Sequence, residues 1–199
     1  MPRDTLADLA DDQLLVRYAN GDPDAARLLM QRLLPRVYGY ARRMLSDAAE
    51  AEDVAQETML RLWQVAPRWR TGEARVSTWT YRVVSNLCTD RLRLRRRRPV
   101  MPLDDAPEVI DQSPGAEGAL MQADRMAALQ GALDTLPERQ RQAVVLRHIE
   151  GLTNPEIAVV MDIGVEAVES LTARAKKSLA MALAEQRGEL MQSDEVNHG

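Results

Sequence analysis

Thr153-Asn154-Pro155-Glu156-Ile157-Ala158-Val159-Val160-Met161-Asp162-Ile163-Gly164-Val165-Glu166 sets the architecture of the second half of this chain. Thr153 followed three residues later by Glu156 is a capping box, a hydroxyl and a carboxylate that satisfy the free backbone N–H groups of a starting helix. Ile157, Ala158, Val160 and Met161 then give that helix one apolar side. Asp162-Ile163-Gly164 makes a turn. A longer helix begins at Val165 and carries Val168, Leu171, Ala175 and Leu179 inward at helical spacing. A short capped helix, a turn with Gly and a longer second helix form a helix-turn-helix. In that motif the second helix enters the major groove and its N-terminal residues reach base edges. Here the candidate contacts are Thr153, Glu166, Ala167, Ser170, Arg174 and Lys177, with Glu169 and Ala173 also facing outward. Arg174, Lys176 and Lys177 suit phosphates, and Ser170 suits a base.

Working outward, Pro137 sits where proline is tolerated, in the first turn of a helix that runs through Ala143, Val144, Leu146 and Ile149 and is expected to stop at Gly151. Before it, a helix is expected from Ala116 to Leu133, with Leu120, Met126, Leu129 and Leu133 facing the core. Pro99, Pro102, Pro107, Pro114 and Gly115 cluster among acids, a composition that breaks helices and builds no core.

The first half reads as helices too. Asp11 to Ala19 is a short one. Asp22 and Asp24 offer caps for a helix to about Leu45, with Leu28, Leu29, Leu33, Val37, Tyr40, Ala41 and Met44 at helical spacing. Ser46 or Asp47 opens the next, through Val54, Leu60 and Trp63 to Pro67, and a loop with Thr71 and Gly72 follows. A further helix starts near Ser77 and runs into Arg95-Arg96-Arg97-Arg98. At roughly 100° per residue, Val76, Thr80, Val83, Val84, Leu87 and Cys88 fall on one side of it, and Arg82, Ser85, Asn86, Thr89 and Arg93 on the other.

The fold class is therefore all-α: two small helical domains joined by a linker, the C-terminal one a helix-turn-helix. The expected boundaries are 1–98, a linker over 99–117, 118–185, and a flexible polar tail over 186–199. With 199 residues, 45% hydrophobic and 28% charged, the chain is ordinary for a globular protein, and with 4% aromatics and no Phe its core must be aliphatic.

Net charge is −4, but the charge is segregated. Arg68, Arg70, Arg75, Arg82, Arg91 and Arg93 lead into the arginine run, whereas Asp104, Asp105, Glu108, Asp111, Glu117 and Asp124 follow it. The basic block suits phosphates and the acidic one repels them. One cysteine, Cys88, allows no disulfide framework within the chain, which fits a reducing cytoplasm. Residues Met1 to Asn20 lack the apolar run of a signal peptide, and no stretch approaches the roughly 20 apolar residues of a membrane span. No membrane insertion is expected. His148 and His198 are isolated, and no metal-ligand spacing, phosphate-cradling Gly loop or nucleophile motif occurs. Neither a catalytic residue nor a metal or cofactor is expected.

At this point a resemblance becomes specific. The chain resembles the extracytoplasmic-function sigma factors of bacterial RNA polymerase. It does so in Arg36-Val37-Tyr38-Gly39-Tyr40-Ala41-Arg42-Arg43-Met44-Leu45, in Ala51-Glu52-Asp53-Val54-Ala55-Gln56-Glu57-Thr58-Met59-Leu60-Arg61-Leu62-Trp63, and in Ser77-Thr78-Trp79-Thr80-Tyr81-Arg82-Val83-Val84-Ser85-Asn86. Leu133-Asp134-Thr135-Leu136-Pro137 and the helix-turn-helix complete the series in the family's order, over about Asp11 to Leu183.

The resemblance implies core RNA polymerase, promoter DNA and an anti-sigma factor as partners. It places a polymerase contact on Asp53, Gln56, Glu57 and Arg61. It places minus-ten capture and melting on Arg75, Thr78, Trp79, Arg82, Ser85, Asn86 and Arg93. Trp79 offers a stacking surface, although its spacing also suits the core. Minus-thirty-five reading would fall to the helix-turn-helix. There the sequence departs from the family: Glu166 and Glu169 occupy a stretch commonly small, hydroxyl or basic, and Leu171 stands where arginine is frequent. The alternative is a sigma-like decoy that binds an anti-sigma factor without promoting transcription. The acids favour it, and the basic face from Arg82 to Arg98 opposes it. An operator-binding regulator independent of polymerase would leave the first half without a purpose.

Overall fold

The computed structural model describes residues 6–72, 74–97 and 116–196. Eight α-helices are seen among them: α1 (Asp11–Ala19), α2 (Pro23–Leu45), α3 (Ala48–Val65), α4 (Val76–Arg97), α5 (Ala116–Asp134), α6 (Glu138–His148), α7 (Asn154–Met161) and α8 (Val165–Val196). Short 3-10 turns sit at Leu6–Asp8 and Ala66–Arg68.

The helix ends follow side-chain chemistry. Asp22 Oδ1 accepts from the N–H groups of Asp24 (3.0 Å) and Ala25 (3.2 Å), and Pro23 occupies the first position of α2. Asp47 accepts from Glu50 N–H at 2.9 Å and starts α3. Helix α4 is capped from a distance: Asp12 of α1 accepts from Val76 N–H at 2.7 Å, which ties the loop before α4 to the first helix. Pro35 lies inside α2 but on its exposed side, where the carbonyl it leaves without a partner can be hydrated. Thr153 and Glu156 form the capping box of α7, and Asp162 ends that helix in the left-handed region at φ 53°.

Two hydrophobic clusters hold the molecule. One joins Leu14 and Leu15 of α1, Leu29 and Leu33 of α2, Met59 and Leu62 of α3, and Val76. The other runs without interruption from α2 and α4 (Val37, Tyr40, Tyr81, Val84, Cys88) into α5–α8 (Leu133, Leu146, Ile157, Val160, Val168). The two halves thus share a core, and α7 packs on α4.

The structure corrects several expectations. Met126, expected to face the core, is 50% exposed, because α5 has a side that no neighbour covers; Leu60 (56%) and Ile149 (37%) are exposed as well. Helix α6 ends at His148 with Ile149 as its cap, and Gly151, at φ +77°, serves the turn beyond. Helix α5 opens at Ala116, as the sequence predicts, and residues 98–115 lie outside those described. Helix α8 runs on to Val196, into the stretch expected as a flexible tail. From Gln186 to Val196 the sequence holds Gln, Glu, Leu, Met and Arg, which suit a helix, and has no proline to stop it. Leu120 lies in a stretch whose side chains are not described.

Candidate nucleic-acid and polymerase interfaces

Asp53, Gln56, Glu57 and Arg61 share the outer side of α3. This is opposite Val54, Thr58 and Leu62, which are fully buried. Glu57 accepts from Arg61 Nε at 2.8 Å, one helical turn on, and Asp53 lies 3.7 Å from Arg91 of α4. Both pairs are well exposed to solvent, from 36% to 67% by side chain, and hold orientation more than they add stability. Leu60 lies among these residues. It is an exposed leucine ringed by an amide and charges, and the sequence reading gave it no role.

The candidate minus-ten residues divide into three groups. Arg82, Asn86 and Arg93 are exposed on one side of α4, with Thr89 half-buried beside them. They line a cleft of about 310 Å³ whose far wall is Arg139 and Gln142 of α6 with Val160, Met161 and Asp162 at the end of α7. Arg75 and Thr78 line a second cavity, about 450 Å³, against Thr153, Pro155, Glu156 and Val159. Thr78 is only 7% exposed, and Arg75 pairs with Glu156 at 3.2 Å. Trp79 is half-buried in the first core, edge-on to Trp69 with ring centroids 6.2 Å apart, so its indole is structural in this arrangement.

Ser85 is corrected outright. It is 1% exposed, and its Oγ shares a 2.7 Å hydrogen bond with Tyr40 Oη. Reading one polar face on α4 assumed one packing partner. The helix is covered by α2 on one flank and α7 on the next, so its buried arc is wider and takes in Thr78 and Ser85. Burial holds the Tyr40 hydroxyl well above its usual range and pushes the Cys88 thiol up to about 12. Cys88 is inert packing, as expected for its inner-face position.

Arg95 is drawn off the basic run. Its guanidinium reaches Leu45 O (2.8 Å), Asp47 (3.1 Å) and Glu50 (3.0 Å) and locks the end of α4 to the α2–α3 corner. Arg96 pairs with Glu138 at 3.0 Å, and Arg98 lies outside the described residues.

On α8, Glu166, Ala167, Ser170, Arg174 and Lys177 form one exposed stripe opposite Val168 and Ala175, both fully buried. Thr153 is exposed at the start of α7, where its hydroxyl and N–H both donate to Glu156 (2.7 and 2.8 Å). Those two bonds hold the Glu156 carboxyl below its usual range. Asn154 Nδ2 donates to Glu169 at 3.4 Å across the motif. The sequence reading did not single out Asn154. Among the described residues, no three His, Cys, Asp or Glu side chains group to hold a metal ion, and no helix is long and apolar enough to cross a membrane.

Among the described residues, one half presents a basic helix face, the other carries a helix-turn-helix, and a charged face on α3 stands apart from both. Comparison with known proteins sharpens this. Residues 29–98 match Sigma-70 region 2, and residues 126–179 match Sigma-70, region 4. RNA polymerase sigma-H factor of Pseudomonas aeruginosa is 32% identical over 181 residues, covering 87% of this chain and 93% of that protein. ECF RNA polymerase sigma factor SigM of Mycobacterium tuberculosis is 33% identical over 174 residues, 87% of this chain and 85% of its own. The solved structure of CnrH in complex with the cytosolic domain of CnrY aligns with a TM-score of 0.66 at 25% identity, over 89% of this chain and 99% of that one. The fold also matches the sigma factor RpoE of Bartonella quintana, solved with the anti-sigma factor NepR, with a TM-score of 0.62 at 19% identity over 79% and 96% of the two chains. The chain belongs to the sigma-70 family of RNA polymerase sigma factors, in its extracytoplasmic-function group.

Proposed function

We propose that residues 1–98 dock this factor on core RNA polymerase and open the minus-ten element, while residues 118–185 read the minus-thirty-five element. Asp53, Gln56, Glu57 and Arg61, with Leu60 among them, are the docking face. Arg82, Asn86 and Arg93 hold the melted strand, Asn86 through an amide that both donates to and accepts from a base edge. Arg75 and Thr78 border the pocket for a base drawn out of the stack, a step that costs a few kcal/mol and needs such contacts to offset it. Glu166, Ser170 and Arg174 face the upstream element. A carboxylate accepts from cytosine amino groups and repels phosphates, so Glu166 and Glu169 point to a minus-thirty-five sequence unlike that of factors with a basic recognition helix.

The polymerase supplies phosphoryl transfer, and this chain binds and positions without a catalytic group or cofactor of its own. It works in the cytoplasm, under an anti-sigma factor. Two observations support that control: fold likeness to a sigma factor solved with an anti-sigma factor, and apolar side chains left exposed at Leu60 and Met126.

The observation that carries the reading is the separation of an acidic, half-exposed α3 face from a basic α4 face on one rigid half. Gln56→Ala with Glu57→Ala is expected to weaken binding to purified core polymerase by about tenfold or more. Asn86→Ala is expected to leave that binding unchanged. Normal polymerase affinity in the double variant would remove α3 from the docking face.

A further inference from the structure

Glu150, between α6 and α7, is the most buried charge that the second half brings to the first among the described ion pairs. Its side chain is 6% exposed. Every partner it has there comes from the other half. Tyr81 Oη donates to its carboxylate, Arg43 Nη1 lies at 3.8 Å and Arg36 Nε at 3.9 Å, and Arg36 Nη2 donates to its backbone oxygen at 3.1 Å. A carboxylate this buried is tolerated only because those groups meet it. Around it the halves are joined by Ser46 to Asp134 (2.6 Å) and by Arg141 to Met44 O (3.1 Å). The result is that α7 lies along α4 and the end of α7 walls the cleft in front of Asn86. A nucleic-acid strand laid on α4 meets that wall.

We infer that the surface on α4 assigned to the minus-ten strand is also a docking surface for α6 and α7 of the same chain, with Glu150 as its latch. The free factor is then closed and must open before it takes promoter DNA. This rests on the promoter-binding reading above and adds its control. The latch is suited to reversal. When the halves part, Glu150, Arg36 and Arg43 all regain water, so what holds them is a small difference between large terms. Apparent affinity for DNA falls by the fraction of molecules that are closed, and anything that weakens the latch raises it.

A cysteine pair tests the closed form. In the full chain carrying Ser46→Cys and Asp134→Cys, oxidation is expected to close a disulfide, since the native side-chain oxygens are in hydrogen-bond contact. Cys88 is fully buried and stays out of the exchange. In run-off transcription with core polymerase and genomic promoter fragments, the oxidised protein is expected to be silent and the reduced protein active. Equal activity in both states, or a pair that does not cross-link, overturns the proposal. Silence of the unmodified chain in the same assay would instead be failure of the sigma reading.

Glu150→Ala and Tyr81→Phe test the latch without a cross-link, whatever the double variant's own activity. Each removes a bond to a charged group and is expected to raise transcription at limiting protein by roughly fivefold to tenfold. Unchanged or lower yield in both variants, with helical content and melting retained, overturns the role of Glu150.

Discussion

Helix α4 exposes arginines and an amide with little negative charge among them, but the neighbouring half covers part of that face. Helix α8 is the reverse. Its outer stripe is fully open, yet it mixes Glu166 and Glu169 with Arg174, Lys176 and Lys177. The first arrangement suits affinity that is largely independent of sequence, carried by phosphate contacts. The second gives up affinity for discrimination, because a carboxylate near a phosphate backbone is tolerated only where a base rewards it. On the proposed reading, one chain separates holding from reading and guards only the face that would hold indiscriminately.

That contrast can be broken most severely at Asn86. Asn86→Ala is expected to reduce open-complex formation by about 10–100-fold, in permanganate footprinting of melted thymines, while closed-complex binding stays near normal. An equal loss in both would mean that the amide does not act on the opened strand. A smaller effect is expected from Glu166→Gln with Glu169→Gln. Base preference at the upstream element should relax by about 1–3 kcal/mol in a binding-site selection, and affinity for random duplex should rise. If random-duplex affinity falls instead, the acids are not facing DNA.

Salt dependence sharpens the comparison further. Arg82→Ala and Arg93→Ala should each lower the slope of log affinity against log salt by about one, close to a fourfold change between 50 and 200 mM, roughly alike for all sequences. The smallest effect is at the entrance to the helix-turn-helix. Thr153→Ala removes the cap of α7 and should cost about 1 kcal/mol of stability, read as a lower melting temperature. Glu156 adds a pH signature. Its folded carboxyl is held below its ordinary value of 4.5, mainly by Thr153. Its stabilising share is therefore complete above that value and lost as pH falls through the lowered one. Thr153→Ala should flatten this acid limb in thermal melts.

Much of this was legible in the sequence because it is local. The Asp22, Asp47 and Thr153 caps, the turn after Met161 and the buried side of α8 all follow from residues a few positions apart. So did the exposed stripe from Glu166 to Lys177. What the sequence hid depends on contacts between distant segments. Ser85 looked outward until Tyr40 of α2 was placed over it. Met126 looked like core until α5 was seen to leave that side uncovered. Nothing in the sequence pairs Glu150 with Arg36, Arg43 and Tyr81, and their meeting follows only from the docking of one half on the other.

The central claim is that this chain gives core polymerase its promoters. Run-off transcription with purified core polymerase, the full chain and a pool of genomic promoter fragments tests it most directly. The account predicts discrete transcripts that appear only with the chain present and share two upstream elements, the farther one departing from those read by factors with a basic recognition helix. No transcripts, from a polymerase shown to be active with another factor, would contradict it and leave a sigma-like decoy for an anti-sigma factor as the better description.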